Sequence, residues 1–166
     1  MLNMRPLRIV GIALLLVGIA GCTQEGDVKN HEVTVRAVMD KVQEKMTSED
    51  HHLMNIKSEE ETKFFASAKH FNRADIKEGY ILEPLMSTVE SELIIVIKTA
   101  DQKAMEQVKK ALNKVLSDQF AHWEGYIPSQ YELVKNNKIK QQGNFIIYAT
   151  SKHVDDIIKV FQDEVR

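Results

Sequence analysis

Leu93-Ile94-Ile95-Val96-Ile97 is apolar at every position. Side chains alternate between the two faces of a strand, so Leu93, Ile95 and Ile97 point one way and Ile94 and Val96 the other. A strand with one wet face alternates apolar with polar. A run apolar on both faces reads as a central strand covered on two sides. The chain must therefore supply one packed layer to each face.

The flanking segments read as the rest of that fold. Tyr80 to Met86 is a strand, placed at an edge because Pro84 cannot donate a ladder hydrogen bond, and Ser87 to Ser91 is the turn. Thr99-x-x-Gln102 has the form of a capping box. Behind it, Met105, Val108, Leu112, Val115, Leu116, Phe120 and Trp123 form the stripe of a helix of about 22 residues, roughly 33 Å long. Gly125 stands where a left-handed residue ends a helix, and Pro128 follows. Lys138 to Gln142 and Phe145 to Thr150 read as a hairpin around Gly143-Asn144, with Phe145 and Ile147 opposing Ile146 and Tyr148. Ser151 caps a last helix with the stripe Val154, Ile157, Ile158, Phe161 and Val165.

Upstream, Val35, Val38, Met39, Val42 and Met46 fall on one helical face, predicting a helix over about 33–46. Ser58 and Glu61 form a second capping box ahead of Phe64, Phe65, Ala68 and Phe71, predicting a helix over 59–71. Asn72 to Gly79 is a polar connector with a turn at Asp75. The order is α, α, β-β-α, β-β-α. The expected fold is α+β: a four-stranded, largely antiparallel sheet built from two β-β-α units, with the N-terminal helices packed on it. The long and last helices are expected on one face. The first helix, or that over 59–71, is expected on the other, against Ile94, Val96 and Ile146.

The N-terminus carries a different signal. Arg5 and Arg8 precede twelve residues, Ile9 to Ala20, that are apolar apart from two glycines, and Ile19-Ala20-Gly21-Cys22 follows as a lipobox. Twelve helical residues rise about 18 Å, short of the roughly 30 Å of a hydrocarbon core. Residues 1–21 are read as a cleaved lipoprotein signal peptide, 22–32 as a lipidated tether and 33–166 as a single α+β domain. The expected location is the outer face of the cell membrane, held to the bilayer by acyl chains on Cys22; two chains suffice for stable anchoring where one is marginal.

Removing Arg5 and Arg8 takes Lys+Arg from 22 to 20 against Asp+Glu 24, a mature charge of −4. That balance does not point to a nucleic-acid partner, which needs a basic stripe, and none is expected. Cys22 is the single cysteine, so no disulfide forms within the chain and a thiol nucleophile is excluded if Cys22 is acylated. No G-x-S-x-G, G-x-x-x-x-G-K or G-x-G-x-x-G occurs, and no cofactor is expected.

Lys77-Glu78-Gly79-Tyr80, the strand from Glu92 to Lys98, the long charged helix, Trp123-Glu124-Gly125-Tyr126-Ile127-Pro128, and Gly143-Asn144-Phe145 with Ser151 carry a family resemblance. From about Asn72 onward the chain resembles the bacterial lipoprotein domain of unknown function 4358. The resemblance implies a surface lipoprotein without an assigned activity. It carries over no catalytic or binding residue.

Three constellations remain. His51 and His52, with His70 or Glu59 to Glu61, are of the right type for zinc, copper or nickel, but HExxH is lacking and adjacent histidines point apart, so a solvated loop is the plainer reading. Trp123, Tyr126 and Tyr131 form either an aromatic rim for a glycan or peptide, or a packed corner. Lys103, Glu106, Lys109, Lys110, Lys114 and Asp118 are either a partner-facing charge pattern or a solvated helix face. His31, His122 and His153 read as surface residues. The expected function is non-enzymatic binding or envelope support with an envelope protein as partner. The alternatives are an envelope hydrolase and a lipoprotein that captures a metal or substrate. If the lipobox is used, Cys22→Ser leaves a precursor that takes up no fatty-acid probe in metabolic labelling, whereas undiminished label on the serine variant would reject lipidation there.

Overall fold

In a computed structural model of the protein, which describes residues 32–46, 54–58 and 69–166, the apolar run is the middle strand of a five-stranded antiparallel sheet. The strands are β1 (Met54–Ser58), β2 (Ile76–Pro84), β3 (Leu93–Thr99), β4 (Lys138–Gln142) and β5 (Phe145–Thr150), in spatial order β1-β2-β3-β5-β4. The helices are α1 (Val35–Lys45), α2 (Gln102–Trp123), α3 (Pro128–Lys135) and α4 (Val154–Glu164), and one 3-10 turn covers Arg73–Asp75. The four expected strands and the α+β architecture are present. β1 adds a fifth strand, with Met54 opposite Pro84 and Ser58 opposite Tyr80. Of the helix expected over 59–71, residues 59–68 lie outside the described residues, and Lys69 and His70 form a turn.

β2 is not an edge strand, because β1 covers it. Pro84 is tolerated because it is the last residue of β2, and pairing with β3 has already ended at Leu82 opposite Ile94. The strand also begins earlier than its apolar run suggests, at Ile76, with a register shift between Ile76 and Glu78.

Both faces of β3 are covered. Ile94 and Val96 pack with Leu82, Phe145, Ile147 and Ala149 beneath α1 and α4. Ile95 and Ile97 pack with Ile81, Ile146 and Tyr148 beneath Met105, Val108 and Leu112 of α2. Two details correct the sequence reading. Ile146 sits on the α2 face, because it pairs with Ile97 and directly opposed residues share a face. The last helix sits opposite the long one rather than beside it. The 22 residues of α2 cover one face alone, whereas α1 and α4, 11 residues each, lie together on the other. The α1 stripe is buried throughout, from Val35 to Met46, as expected. Burial of such side chains is worth roughly 1.5–3 kcal/mol each, which holds a short helix that would not persist alone.

The caps are shifted from those expected. Asp101, not Thr99, caps α2, accepting from the Ala104 N–H at 2.8 Å, because the helix starts at Gln102. Ser151 lies two residues ahead of the α4 cap position, His153, and its hydroxyl accepts the His153 N–H. α3 was not expected. Its Pro128 occupies the first helical turn, where a missing N–H costs nothing.

Where the described chain begins, a buried cation clasps it to the sheet. The Lys98 side chain is 4% exposed. Its ammonium donates to Glu32 Oε1 at 2.7 Å and to the Val33 carbonyl at 3.1 Å, lies 3.5 Å from Glu78 Oε1, and stands over the Phe145 ring. Glu78 Oε2 accepts the Val35 N–H, one of the unpaired donors at the start of α1. Burial opposes the Lys98 charge, but the bond to Glu32 and the charge of Glu78 outweigh it and raise the ammonium above its ordinary value. The Lys98 hydrogen bond, then its charge and that of Lys77, hold the Glu32 carboxyl below its ordinary value. A carboxyl lowered on folding stabilises the fold fully above its unfolded value, about 4.5, and loses that contribution as pH falls through the lowered one. Glu32→Gln should therefore flatten the loss of stability between pH 5 and pH 3 in urea titrations; a parallel acid limb would contradict the clasp. Lys98→Met should cost about 1.5–3 kcal/mol, the range for a hydrogen bond to a charged group.

Candidate functional site

The end of the sheet away from Lys98 gathers His70, Asp118 and the aromatics Trp123, Tyr126 and Tyr131. α2 starts beside the end of β3 and runs back along the sheet, so its last turn meets the turn between β2 and β3. Trp123 is buried at 2% exposure and stacks on Tyr126 with ring centroids 5.9 Å apart. His122 meets Trp123 edge-on at 4.8 Å. Tyr131 packs edge-on against Phe120 at 5.9 Å, with the Lys135 ammonium over its ring. The three candidate aromatics therefore differ. Trp123 belongs to the packed corner, Tyr131 is half-buried, and Tyr126 is 54% exposed.

Gly125 makes the corner. Its φ is +73°, the left-handed region where a Cβ is strained, and apart from its chain neighbours no residue comes within 4 Å of where a Cβ would stand. The penalty is thus conformational rather than steric crowding. The Tyr126 N–H donates back to the Trp123 carbonyl at 3.1 Å and closes the turn.

A polar network with no sequence signature fixes the neighbouring turn. The Tyr148 hydroxyl donates to Gln119 Oε1 at 2.8 Å and lies 2.8 Å from Thr150 Oγ1. Burial pushes this phenol up to about 12, against the opposing effect of the Thr150 bond. Gln119 Nε2 reaches the Ser91 carbonyl at 3.4 Å. The Ser91 N–H donates to Gln130 Oε1 at 2.8 Å, and the Ser91 hydroxyl to the Gln130 carbonyl at 3.0 Å. Glu92 Oε1 accepts from the Ser151 hydroxyl at 2.7 Å. The base of the 85–92 turn is therefore bonded to α2, to α3 and to Ser151 between β5 and α4. Its tip is open: Leu85 and Met86 are each 57% exposed and Val89 is 37% exposed.

Beside this corner, Asp118 Oδ2 lies 2.8 Å from His70 Nε2 and 2.9 Å from Lys69 Nζ. The hydrogen bond from Lys69, then that from His70, holds the Asp118 carboxyl below its ordinary value. The three line a hollow of about 260 Å³ with Ser87 and Trp123. Serine, histidine and aspartate thus meet in one hollow. A nucleophile–base pair needs the hydroxyl bonded to the ring, and His70 instead gives its Nε2 to Asp118, with no bond from Ser87 to the ring among the described residues. Of the metal candidates, His51 and His52 and the run Glu59 to Glu61 lie outside the described residues. His70 is engaged with Asp118. Among the described residues, no group of three His, Cys, Asp or Glu is placed to hold a metal.

The architecture is that of a small α+β domain with helices on both faces of an antiparallel sheet. The chain belongs to the family described as domain of unknown function (DUF4358), which matches residues 55–151. That range spans the sheet, α2 and α3, starts upstream of the Asn72 boundary at which the resemblance was drawn, and stops before α4. No curated protein and no solved structure matches the chain. Cys22 lies outside the described residues, and among those described no helix is long and apolar enough to cross a membrane.

Gly125→Val should destabilise the domain by about 1–2 kcal/mol, the cost of a left-handed L-residue, and Gly125→Ala by a similar amount because space is not the limit. Urea unfolding measures both; unchanged midpoints would make Gly125 an ordinary loop residue.

Proposed function

We propose that the protein is an outward-facing lipoprotein, tethered through an acylated Cys22, whose domain binds or supports another envelope component without chemistry of its own. The observation that carries this reading is the polarity of the domain. The described chain enters at Glu32, clasped by Lys98 at one end of β3. Leu85, Met86, Val89 and Tyr126, the large hydrophobics left exposed among the described residues, lie on the two turns at the other end. A tether at one end leaves the apolar end free to meet a partner. Exposed apolar side chains gathered in one place mark interaction sites, whereas single ones do not.

The surroundings of the tip suggest the partner's chemistry. Glu90 and Glu124 flank these residues, and neither makes an ion pair among the described residues. A protein surface with an apolar centre and a basic rim complements them, since charge around a contact sets specificity and encounter rate.

The test is photo-crosslinking in intact cells, with a photoreactive residue in place of Met86 or Tyr126 and, as the control, of Lys159 on α4. A discrete envelope protein should be captured from the tip positions and not from Lys159. Leu85→Ser with Val89→Ser should cut the yield at Tyr126 about tenfold, equivalent to ~1.4 kcal/mol. Equal capture at all three positions, or none at the tip, would overturn the reading.

A further inference from the structure

A separate hollow lies between α2 and the segment 70–75, with a volume of about 570 Å³. Sites for small ligands fall in the range of roughly 300–1,000 Å³. Lys103, Lys110 and Lys114 line it, with Gln107 between them. Their spacing of i, i+7 and i+11 places the three lysines on one helical face, separated by roughly 10 Å and 6 Å along the axis. All three are exposed. None makes an ion pair or hydrogen bond among the described residues, in contrast to Lys109 on the same helix, which is paired with Glu106 at 3.0 Å. Asn72 adds an amide on the opposite wall, and Asp75 is the one carboxylate among the described lining residues. In a protein of net charge −2, this groove has the reverse sign.

We propose that the groove binds an extended, phosphate-bearing polyanion laid along α2. Three cations spread over roughly 16 Å of helix cannot converge on one phosphate, but they match a chain that presents negative charge repeatedly. Lysine suits this ligand, as a mobile point charge that follows a chain instead of demanding one planar geometry. The groove is recessed between two walls, so a chain enters it and a flat layer of lipid headgroups does not.

The test uses the full chain in neutral detergent and fluorescently labelled inorganic polyphosphate, read by anisotropy. Neutralising three phosphates predicts a slope of about −2 for log affinity against log salt, on the value for flexible single strands. Lys103→Gln, Lys110→Gln and Lys114→Gln together should reduce affinity at least tenfold and bring the slope near zero, with an unchanged melting curve. The triple replacement by arginine should retain binding within about threefold. Replacing Lys45, Lys140 and Lys159 by glutamine, three exposed lysines away from the groove, should change it less than twofold. Millimolar orthophosphate and phosphatidylglycerol micelles should both fail to displace the polymer. No binding, or equal loss in the two glutamine triples, would overturn the proposal. Displacement by orthophosphate would reduce the groove to a single-anion site, and displacement by the micelles would assign it to lipid headgroups; either result also overturns it.

Discussion

β3 has six of its seven residues buried, and its side chains alternate between two faces that must both be kept from water. That constraint organises the domain. It demands a layer on each side, and the chain meets it with one long helix on one face and two short ones on the other. It also demands neighbours on both edges of the strand, because buried backbone groups must be paired. β2 and β5 supply them. The register follows from the same alternation: sliding β5 by one residue would carry Ile146 and Tyr148 away from α2 and bring Phe145 and Ile147 against it.

The two ends of β3 then differ in kind. At one end a single buried ammonium holds Glu32, Glu78 and the start of α1 together, so the N-terminal helix is fastened by charge as well as by its apolar stripe. At the other end a chain of neutral polar groups, Tyr148, Thr150, Gln119, Ser91 and Gln130, ties the sheet to α2, α3 and the 85–92 turn. Buried hydrogen bonds of this kind cost little when complete and a great deal when broken, so they specify position more than they add stability. Their effect is to set a short turn with apolar residues at its tip on a fixed base. An exposed apolar tip on a fixed base loses less conformational entropy on binding than one on a mobile loop.

Features governed by local chemistry were legible in the sequence. The two-faced reading of Leu93 to Ile97, the stripes of α1, α2 and α4, the left-handed Gly125 and the Gly143-Asn144 hairpin all depend on periodicity or on one residue's backbone freedom. Features decided by what packs against what were not. β1 is a five-residue strand whose last residue, Ser58, also fits a helix cap. α3 carries one fully buried residue, Val134, so its helical period is faint, and Pro128 reads equally as the end of one helix or the start of the next. Which face α4 takes depends on the unequal lengths of the covering helices, which a stripe does not reveal. The candidate aromatics were located correctly as a group, but only tertiary packing separates buried Trp123 from open Tyr126. The lysine stripe was visible as a pattern. That three of its members share a groove, with no ion pair among the described residues, required the wall formed by residues 70–75.

If burial of β3 on both faces holds the domain together, α1 is part of its cooperative unit rather than an appendage. Native-state hydrogen exchange tests this directly. The account predicts that the amides of Val42 and Gln43 in α1 open with the same free energy and the same denaturant dependence as those of Ile94 to Ile97 in β3. Exchange of the α1 amides through a low-energy local opening, with β3 still protected to the global limit, would contradict it.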